Sequence, residues 1–208
     1  MDDRGHLTTE QRNPRSTRLF RMSIAEAVDL INAEDRLIAD AVCDARSHIV
    51  AATEAVAKAF AGGGRLVYLG AGTSGRLGVL DAAECPPTFM SAPSMVVGVI
   101  AGGSDALTRS IEGAEDWPAD AADEIDRLDV GPHDVVLGIA TGGTTPYVHA
   151  GLRRAKERGA TTVFFACVPK SEVPDEADIS IRVITGPEVL TGSTRMKAGT
   201  ATKMVLNT

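Results

Sequence analysis

Glycine and hydroxyl residues follow a short apolar run in the first third of the chain. The run LVYL occupies positions 66–69, and GAGTSG follows it at 70–75, here called the first loop. A GxGxxG pattern between a strand and a helix is typical of loops whose backbone amides bind phosphate at the start of the helix. The hydroxyls of this loop favour a terminal phosphate. Its predicted phosphate contacts are Gly72, Thr73, Ser74 and Gly75.

Two other interpretations of the first loop stay open at this point. A dinucleotide-binding loop is expected to have an acidic residue about 20 positions later, at the end of the next strand. The next predicted strand ends in AGG at 101–103, and the first acid after it is Asp105. A nicotinamide site therefore has less support than a phosphate site. The other alternative is a tight strand–helix turn in which glycine serves only the backbone.

Two further hydroxyl-rich segments follow later in the chain. The second loop, TGGTTP at 141–146, comes after another apolar strand, and the third segment is TGSTRMK at 191–197. Loops at the carboxyl ends of parallel strands can face one ligand where the strand order reverses. We expect Ser193 to cap the last helix. The alternative for the second loop is a plain turn followed by a helix that begins at a proline. The alternative for the third segment is that its cations are solvated. The predicted ligand contacts are Thr141, Gly143, Thr144, Thr145, Ser193 and Lys197.

Carboxylates are the candidates for proton transfer, and the residues by themselves single out only one of them. Glu84 ends the helix predicted after the first loop, where an acid opposes the helix dipole. A residue placed against a local preference is a hint of function. Glu112, Glu115 and Asp116 lie in an acid-rich stretch that continues to position 126, and for each of them a solvated helix face is the default explanation.

The composition excludes several classes of function. The chain has 208 residues, of which 44% are hydrophobic, enough for one sizeable core. Its 21 Lys and Arg against 28 Asp and Glu give a net charge of −7, and nucleic-acid binding needs clustered cations instead. Apolar runs such as 135–140 are far too short to span a membrane.

Cysteine and histidine usage argues against metal and disulfide chemistry. The three cysteines have no CxxC spacing, and the four histidines form no HExxH pattern. We therefore expect no metal, no disulfide framework and a reducing cytoplasm. The polar N-terminus, 1–11, has no signal-peptide core.

The hydrophobic pattern predicts helices first and then alternating strands and helices, which indicates an α/β fold with a parallel sheet covered on both faces. Residues 1–22 are expected to form an arm outside the core. Ser23 and Glu26 make a capping box, which predicts a helix to about position 31, and a second helix is predicted over 34–60. The predicted strands are 66–69, 95–100, 134–139, 161–166 and 179–183, and the later helices are 76–84, 105–127, 147–158 and 188–206.

Several segments together resemble the N-acetylmuramic acid 6-phosphate etherases. The most specific are LGAGTSGRLG at 69–78 and DAAECPPTF at 81–89. The others are TEQRN at 9–13, IAGG at 100–103, EGAED at 112–116 and TGSTRMKAGT at 191–200. They run in family order over essentially the whole chain, and together they are far more specific than GxGxxG alone.

The resemblance implies the sugar isomerase (SIS) fold, three α/β/α layers with a helical N-terminal extension. We expect one structural unit, with an N-terminal arm and helices over 1–60 and a SIS sugar-phosphate-binding domain over 61–208. It implies a homodimer of the bacterial cytoplasm that needs no metal or nicotinamide and acts in cell-wall sugar recycling. The implied reaction cleaves the lactyl ether of N-acetylmuramic acid 6-phosphate to N-acetylglucosamine 6-phosphate and D-lactate. Glu84 matches the family's proton donor and Glu115 its second catalytic acid.

The residue types fit elimination followed by addition of water. In the ring-opened sugar the C2 hydrogen is acidic because it is α to an aldehyde, and its removal expels the β oxygen at C3. Water then adds at C3. This chemistry needs a base, an acid and a phosphate anchor. We hypothesise that Glu84 is protonated and that Glu115 acts as base or activates water.

The second loop departs from the family pattern. The family usually has ASGRTP where this chain has TGGTTP, so Gly142 and Thr144 replace a serine and an arginine. We expect Thr141 or Thr144 to compensate, and we expect the chain to end before the family's helical C-terminal region. The alternatives to the lyase are a non-catalytic sugar-phosphate-binding SIS regulator, like the etherase-like regulator of glucokinase, an inactive fragment, and an aldose–ketose phosphate isomerase.

Overall fold

A computed structural model describes residues 5–208 and shows a five-stranded parallel sheet between helices. The strands are β1 (Leu66–Gly70), β2 (Val96–Ile100), β3 (Val135–Ile139), β4 (Thr161–Ala166) and β5 (Ile179–Arg182). The helices are α1 (Ile24–Asp35), α2 (Ile38–Asp44), α3 (Arg46–Ala61), α4 (Gly72–Phe89), α5 (Pro118–Arg127), α6 (Pro146–Glu157) and α7 (Lys197–Leu206). Short 3-10 turns lie at Thr8–Glu10, Leu19–Arg21, Ser104–Leu107 and Ala114–Asp116. The α/β fold predicted from the alternating pattern is confirmed.

The strand order places the two glycine-rich loops at the same crevice of the sheet. The order is β2-β1-β3-β4-β5, and Gly70 of β1 pairs with Ile100 on one side and Ile139 on the other. The chain leaves β1 for one edge of the sheet and returns to β3 on the other side, so the order reverses between these two strands. Parallel sheets bind ligands in the crevice at the carboxyl ends of such a pair. The first and second loops leave β1 and β3 at this crevice.

Two apolar layers cover the sheet. In β1, Tyr68 faces the core formed with α3 and α7, whereas Val67 and Leu69 face the core formed with α5 and α6. Burial on both faces accounts for the continuous apolar strands in the sequence. Ile38 of α2 and Ile49 of α3 belong to the first core, so the N-terminal helices share a core with the sheet.

Local signals predicted the strands and one helix start well. Each of the five predicted strands lies within one residue of its position in the structure. The capping box is confirmed, because the Ser23 hydroxyl accepts a hydrogen bond from the Glu26 amide while the Glu26 carboxylate accepts one from the Ser23 amide at 2.7 Å. This reciprocal pair satisfies two amides that the first helical turn leaves without partners.

Four predicted helices are wrong in extent, and one of them is the helix over 76–84, which is α4 (Gly72–Phe89). The helix over 34–60 is broken at Arg36 and at Ala45 into α1, α2 and α3. The helix over 105–127 is two 3-10 turns followed by α5, which begins at Pro118 because proline favours the first helical position. The helix over 188–206 begins only at Lys197. Apolar periodicity does not register where a helix begins or where one or two residues interrupt it.

The N-terminal arm is more deeply packed than the sequence suggests. Leu7 is 1% exposed and belongs to the core with α5 and α6, and Thr9 is fully buried. The expectation of an arm outside the core is therefore wrong at these positions. The expectations for the polar N-terminus and the arm also cover residues 1–4, which lie outside the described residues.

Candidate active site

The first loop leads directly into the start of an 18-residue helix. The N–H groups at 72–74 have no acceptor inside the helix, and Ala71 makes no side-chain cap. A Cβ atom on Gly75 would lie 2.6 Å from Cγ1 of Ile100 and 2.7 Å from the carbonyl oxygen of Gly70, so this turn requires glycine there. The result is an uncapped helix N-terminus flanked by the hydroxyls of Thr73 and Ser74, which suits an anion.

A cavity of about 240 Å³ lies beside this helix start. Its walls include Gly72 of the first loop, and Glu115, which is half-buried in the turn before α5. The guanidinium of Arg76 donates to the carbonyls of Leu107 at 3.1 Å and Arg109 at 2.8 Å. These bonds hold the segment after β2 over the first loop. The structure therefore brings one predicted carboxylate to the predicted phosphate loop.

Gly143 of the second loop has a structural explanation. Its φ is +83°, and a Cβ atom there would lie 2.9 Å from Cγ2 of Val168. Its carbonyl accepts a hydrogen bond of 2.6 Å from Nε2 of His149. The glycine thus serves a tight turn and close packing, and its carbonyl is already engaged.

The threonines of the second loop lie at the start of α6. Thr141 is buried, whereas Thr144 and Thr145 are half-buried. Thr145 is the N-cap residue and makes no side-chain cap bond, with Pro146 at the first helical position. The half-buried hydroxyls therefore lie at a second uncapped helix start. It follows the end of β3, the strand next to β1.

The prediction that Ser193 caps the last helix is wrong. The cap of α7 is Glu188, whose carboxylate accepts hydrogen bonds from the amides of Lys197 at 2.9 Å and Ala198 at 3.0 Å. Glu188 is fully buried, and this burial raises the pKa of its carboxyl group. Ser193 is half-buried in the turn before the helix.

Lys197 is buried and paired inside the protein. Its side chain is 2% exposed, and Nζ donates to Glu34 of α1 at 2.7 Å. Burial alone would raise the pKa of Glu34, but the hydrogen bond and charge of Lys197, with bonds from Asn13 and Arg15, hold it below its ordinary value. In this structure Lys197 links α1 to α7 through its ion pair with Glu34, and its contact with a ligand stays a prediction.

The third segment nevertheless reaches the crevice. A Cβ atom on Gly199 would lie 3.8 Å from Cγ2 of Thr73 in the first loop, and one on Gly192 would lie 3.3 Å from Oε2 of Glu10 in the arm. Glu10 Oε1 would lie 4.0 Å from a Cβ atom on Gly142. The arm, the third segment and both loops therefore converge at one end of the sheet.

Glu84 lies away from the crevice at the end of the sheet. The expectation that Glu84 ends its helix is wrong, because α4 continues through Pro86 and Pro87 to Phe89. From Gly72 to Glu84 the helix rises about 18 Å at about 1.5 Å per residue. Glu84 is exposed and borders a different, largely apolar cavity of about 540 Å³. Within one chain the two predicted catalytic carboxylates do not meet.

Sequence reasoning missed three carboxylates that organise this end of the fold. They are Glu10, Glu34 and Glu188. Glu10 lies in the TEQRN motif at 9–13, and this motif could have indicated a functional residue in the arm. The partners of Glu34 lie 19, 21 and 163 residues away, so no local pattern could indicate them.

Residues 5–208 contain no group of three or more His, Cys, Asp or Glu side chains arranged to hold a metal ion. Over the same residues, no helix is both long and apolar enough to cross a membrane.

Replacing Gly142 by serine is expected to stabilise the protein. The hydroxyl of Thr9 is buried without a hydrogen-bond partner, and it lies 3.7 Å from the position of a Cβ atom on Gly142. A serine hydroxyl there can reach it, so we expect a gain of about 1 kcal/mol and a rise in Tm of about 2–4 °C. Thermal unfolding measures this. Gly142→Ala is the matched control, and an equal rise with alanine would contradict the hydrogen bond.

Comparison with known proteins shows which family models match this chain and which proteins are similar to it. The family model of the glucokinase regulatory protein N-terminal SIS domain matches residues 48–156, and that of the SIS domain matches 118–208. N-acetylmuramic acid 6-phosphate etherase from Crocosphaera subtropica is 58% identical over 100% of this chain and 68% of its own length. The protein of that name from Synechocystis sp. is 56% identical with the same coverage. The chain thus spans about two thirds of these relatives.

Solved structures share the fold at low sequence identity. Phosphoheptose isomerase GmhA from Neisseria gonorrhoeae has a TM-score of 0.64 at 18% identity, covering 89% of this chain and 95% of its own. The Vibrio vulnificus NanR protein complexed with ManNAc-6P has a TM-score of 0.55 at 16% identity, covering 90% of this chain and 64% of its own. The chain has the SIS fold that the resemblance implied.

Proposed function

The chain belongs to the N-acetylmuramic acid 6-phosphate etherase family, and on that premise we propose that it is a carbon–oxygen lyase of cell-wall sugar recycling. The proposed reaction cleaves the lactyl ether of N-acetylmuramic acid 6-phosphate by elimination and water addition. The products are N-acetylglucosamine 6-phosphate and D-lactate. The observation that carries this proposal is the cavity shared by the uncapped start of α4 and the half-buried Glu115.

The phosphate group is proposed to bind at the first loop. Free amides at the start of α4 and the hydroxyls of Thr73 and Ser74 can donate hydrogen bonds to its oxygens. Thr144 and Thr145 can add hydroxyls from the neighbouring strand end, and Ser193 from the third segment. With the phosphate anchored at the first loop, the reacting carbons next to it lie at the cavity that Glu115 borders.

Glu115 and Glu84 are proposed to divide the proton transfers. Glu115 borders the cavity and acts as base or water activator, while Glu84 acts as proton donor to the leaving oxygen. General acid–base catalysis requires hydrogen-bond reach to the reacting atoms. Since α4 separates Glu84 from Gly72 by about 18 Å, Glu84 of the same chain does not meet this requirement.

A homodimer is proposed to resolve the separation. Exposed apolar side chains flank Glu84 on α4 and just beyond it, with Leu80 at 48%, Phe89 at 72% and Met90 at 94% exposure. Such a surface favours association with a second copy, and a two-fold interface is self-complementary. In such a dimer Glu84 of one subunit serves the cavity of the other.

The proposed function is tested by incubating the purified chain with N-acetylmuramic acid 6-phosphate and measuring D-lactate enzymatically. Release of D-lactate with equimolar N-acetylglucosamine 6-phosphate is the expected result. The control is the same sugar without phosphate, which should react far more slowly because the anchor is missing. Binding of the product without any lactate release would instead favour a regulator.

A regulator is the second candidate, and one observation favours it. The family model of the glucokinase regulatory protein N-terminal SIS domain covers residues 48–156. A non-catalytic sugar-phosphate-binding SIS regulator would need the first loop but neither carboxylate. The presence of both Glu84 and Glu115 favours the lyase.

We also propose that the protein works in the cytoplasm. Cys43, Cys85 and Cys167 are free thiols, which suits a reducing compartment.

A further inference from the structure

The N-terminal arm is held rigidly on both sides of Glu10. Leu7 is packed into the core, and Thr8 bonds to Glu172 through its amide at 2.9 Å and its hydroxyl at 2.5 Å. On the other side, Nδ2 of Asn13 donates to Glu34 at 2.9 Å. With both ends anchored, the position of Glu10 is determined by the fold and not by the freedom of a terminal arm.

The carboxylate of Glu10 lies over two glycines. Oε2 is 3.3 Å from the position of a Cβ atom on Gly192, and Oε1 is 4.0 Å from that on Gly142. The side chain is half-buried. Within residues 5–208, no hydrogen-bond donor or cation pairs with this carboxylate. A rigidly held, partly desolvated carboxylate without a partner has its acceptor positions available to a ligand.

The charge of Glu10 restricts the kind of ligand group it can bind. A carboxylate repels a phosphate dianion, but it accepts hydrogen bonds from hydroxyl or amide groups, and such charge-assisted bonds are stronger than neutral ones. The free amides at the start of α4 have the opposite preference. The electrostatic potential of the crevice is therefore positive at the first loop and negative at Glu10, and this difference orients a phosphosugar along the crevice.

We infer that Glu10 is a specificity-determining residue that binds hydroxyl or amide donors of the sugar, at the end of the ligand away from its phosphate. The inference rests on the proposed function and deepens it, because it assigns the direction in which the sugar lies. The phosphate binds at the first loop, and the sugar extends past Gly142 and Gly192 to the arm. Glycine at both positions lets the Glu10 carboxylate lie close against the backbone of the second loop and the third segment.

The test compares Glu10→Gln with the wild-type chain by isothermal titration calorimetry. The probes are N-acetylglucosamine 6-phosphate and inorganic phosphate, and the matched control is Glu54→Gln, the same chemical change on the exposed surface of α3. We expect Glu10→Gln to weaken binding of the sugar phosphate roughly tenfold. Inorganic phosphate should bind as well as before or slightly more tightly, and Tm should not change.

Two results would overturn the inference. Tighter binding of both probes by Glu10→Gln would mean that Glu10 only repels phosphate, and unchanged binding of both would mean that it does not touch the ligand. The readout is independent of lactate release. A wild-type chain that binds the sugar phosphate but releases no lactate therefore contradicts only the lyase activity, whereas a chain that binds no sugar phosphate contradicts both proposals.

Discussion

Replacing Glu84 by glutamine is expected to lower the rate of lactate release by about a hundredfold to ten-thousandfold, the range contributed by general acid–base catalysis. Glutamine keeps the size and hydrogen-bonding capacity of the side chain but cannot donate the proton that the leaving lactyl oxygen needs. Glu84 is exposed on α4, so its replacement costs little stability. Binding of N-acetylglucosamine 6-phosphate should survive, because the first loop is untouched.

The measurement is the rate of D-lactate release at saturating substrate, with Glu54→Gln as the control for a neutralised surface carboxylate. Calorimetric titration of the sugar phosphate checks that binding survives, and thermal unfolding checks the fold. Lactate release by Glu84→Gln at the rate of the wild-type chain would remove Glu84 from the mechanism.

A mixed dimer of Glu84→Gln and Glu115→Gln subunits is expected to recover about half the wild-type rate per dimer. Each variant alone should be nearly inactive. If Glu84 of one subunit serves the cavity that contains Glu115 of the other, the mixed dimer has one site with both substitutions and one site with neither. If both carboxylates acted within one chain, every site would contain one substitution.

The mixed dimer is prepared by co-expressing the two variants with different affinity tags and purifying over both in turn. Light scattering coupled to size exclusion establishes the mass of the assembly before the assay. No recovery of activity in a verified mixed dimer would contradict the shared site, and a monomeric wild-type chain that is fully active would contradict the dimer itself.

Local sequence patterns were sufficient for much of the fold. Apolar runs bounded by glycine, proline and polar residues predicted all five strands, because a strand buried on both faces needs a continuous apolar sequence. Ser23 and Glu26 predicted the start of α1, because the capping box forms between residues only three apart. The first loop was recognisable because its glycines are required by the turn itself, as the close approach of Gly75 to Ile100 illustrates.

Helix extent was less predictable, for a physical reason. Periodicity registers which face of a helix is apolar, but it does not register a single residue such as Ala45 at which one helix ends and another begins. The passage of α4 through Pro86 and Pro87 also runs against the local preference of proline. Glu84 therefore lies on the exposed surface of a longer helix.

The amino-acid sequence by itself determined the α/β class, the positions of the strands, the glycine-rich loop and the family. Only the tertiary structure decided which charged groups meet. In the structure Lys197 pairs with Glu34, 163 residues away, and Glu188 caps α7. The carboxylate of Glu10 lies close to Gly142 and Gly192. Glu84 borders a different cavity from Glu115. Hydrogen bonds between distant residues depend on how helices pack on the sheet, and neither spacing nor composition contains that information.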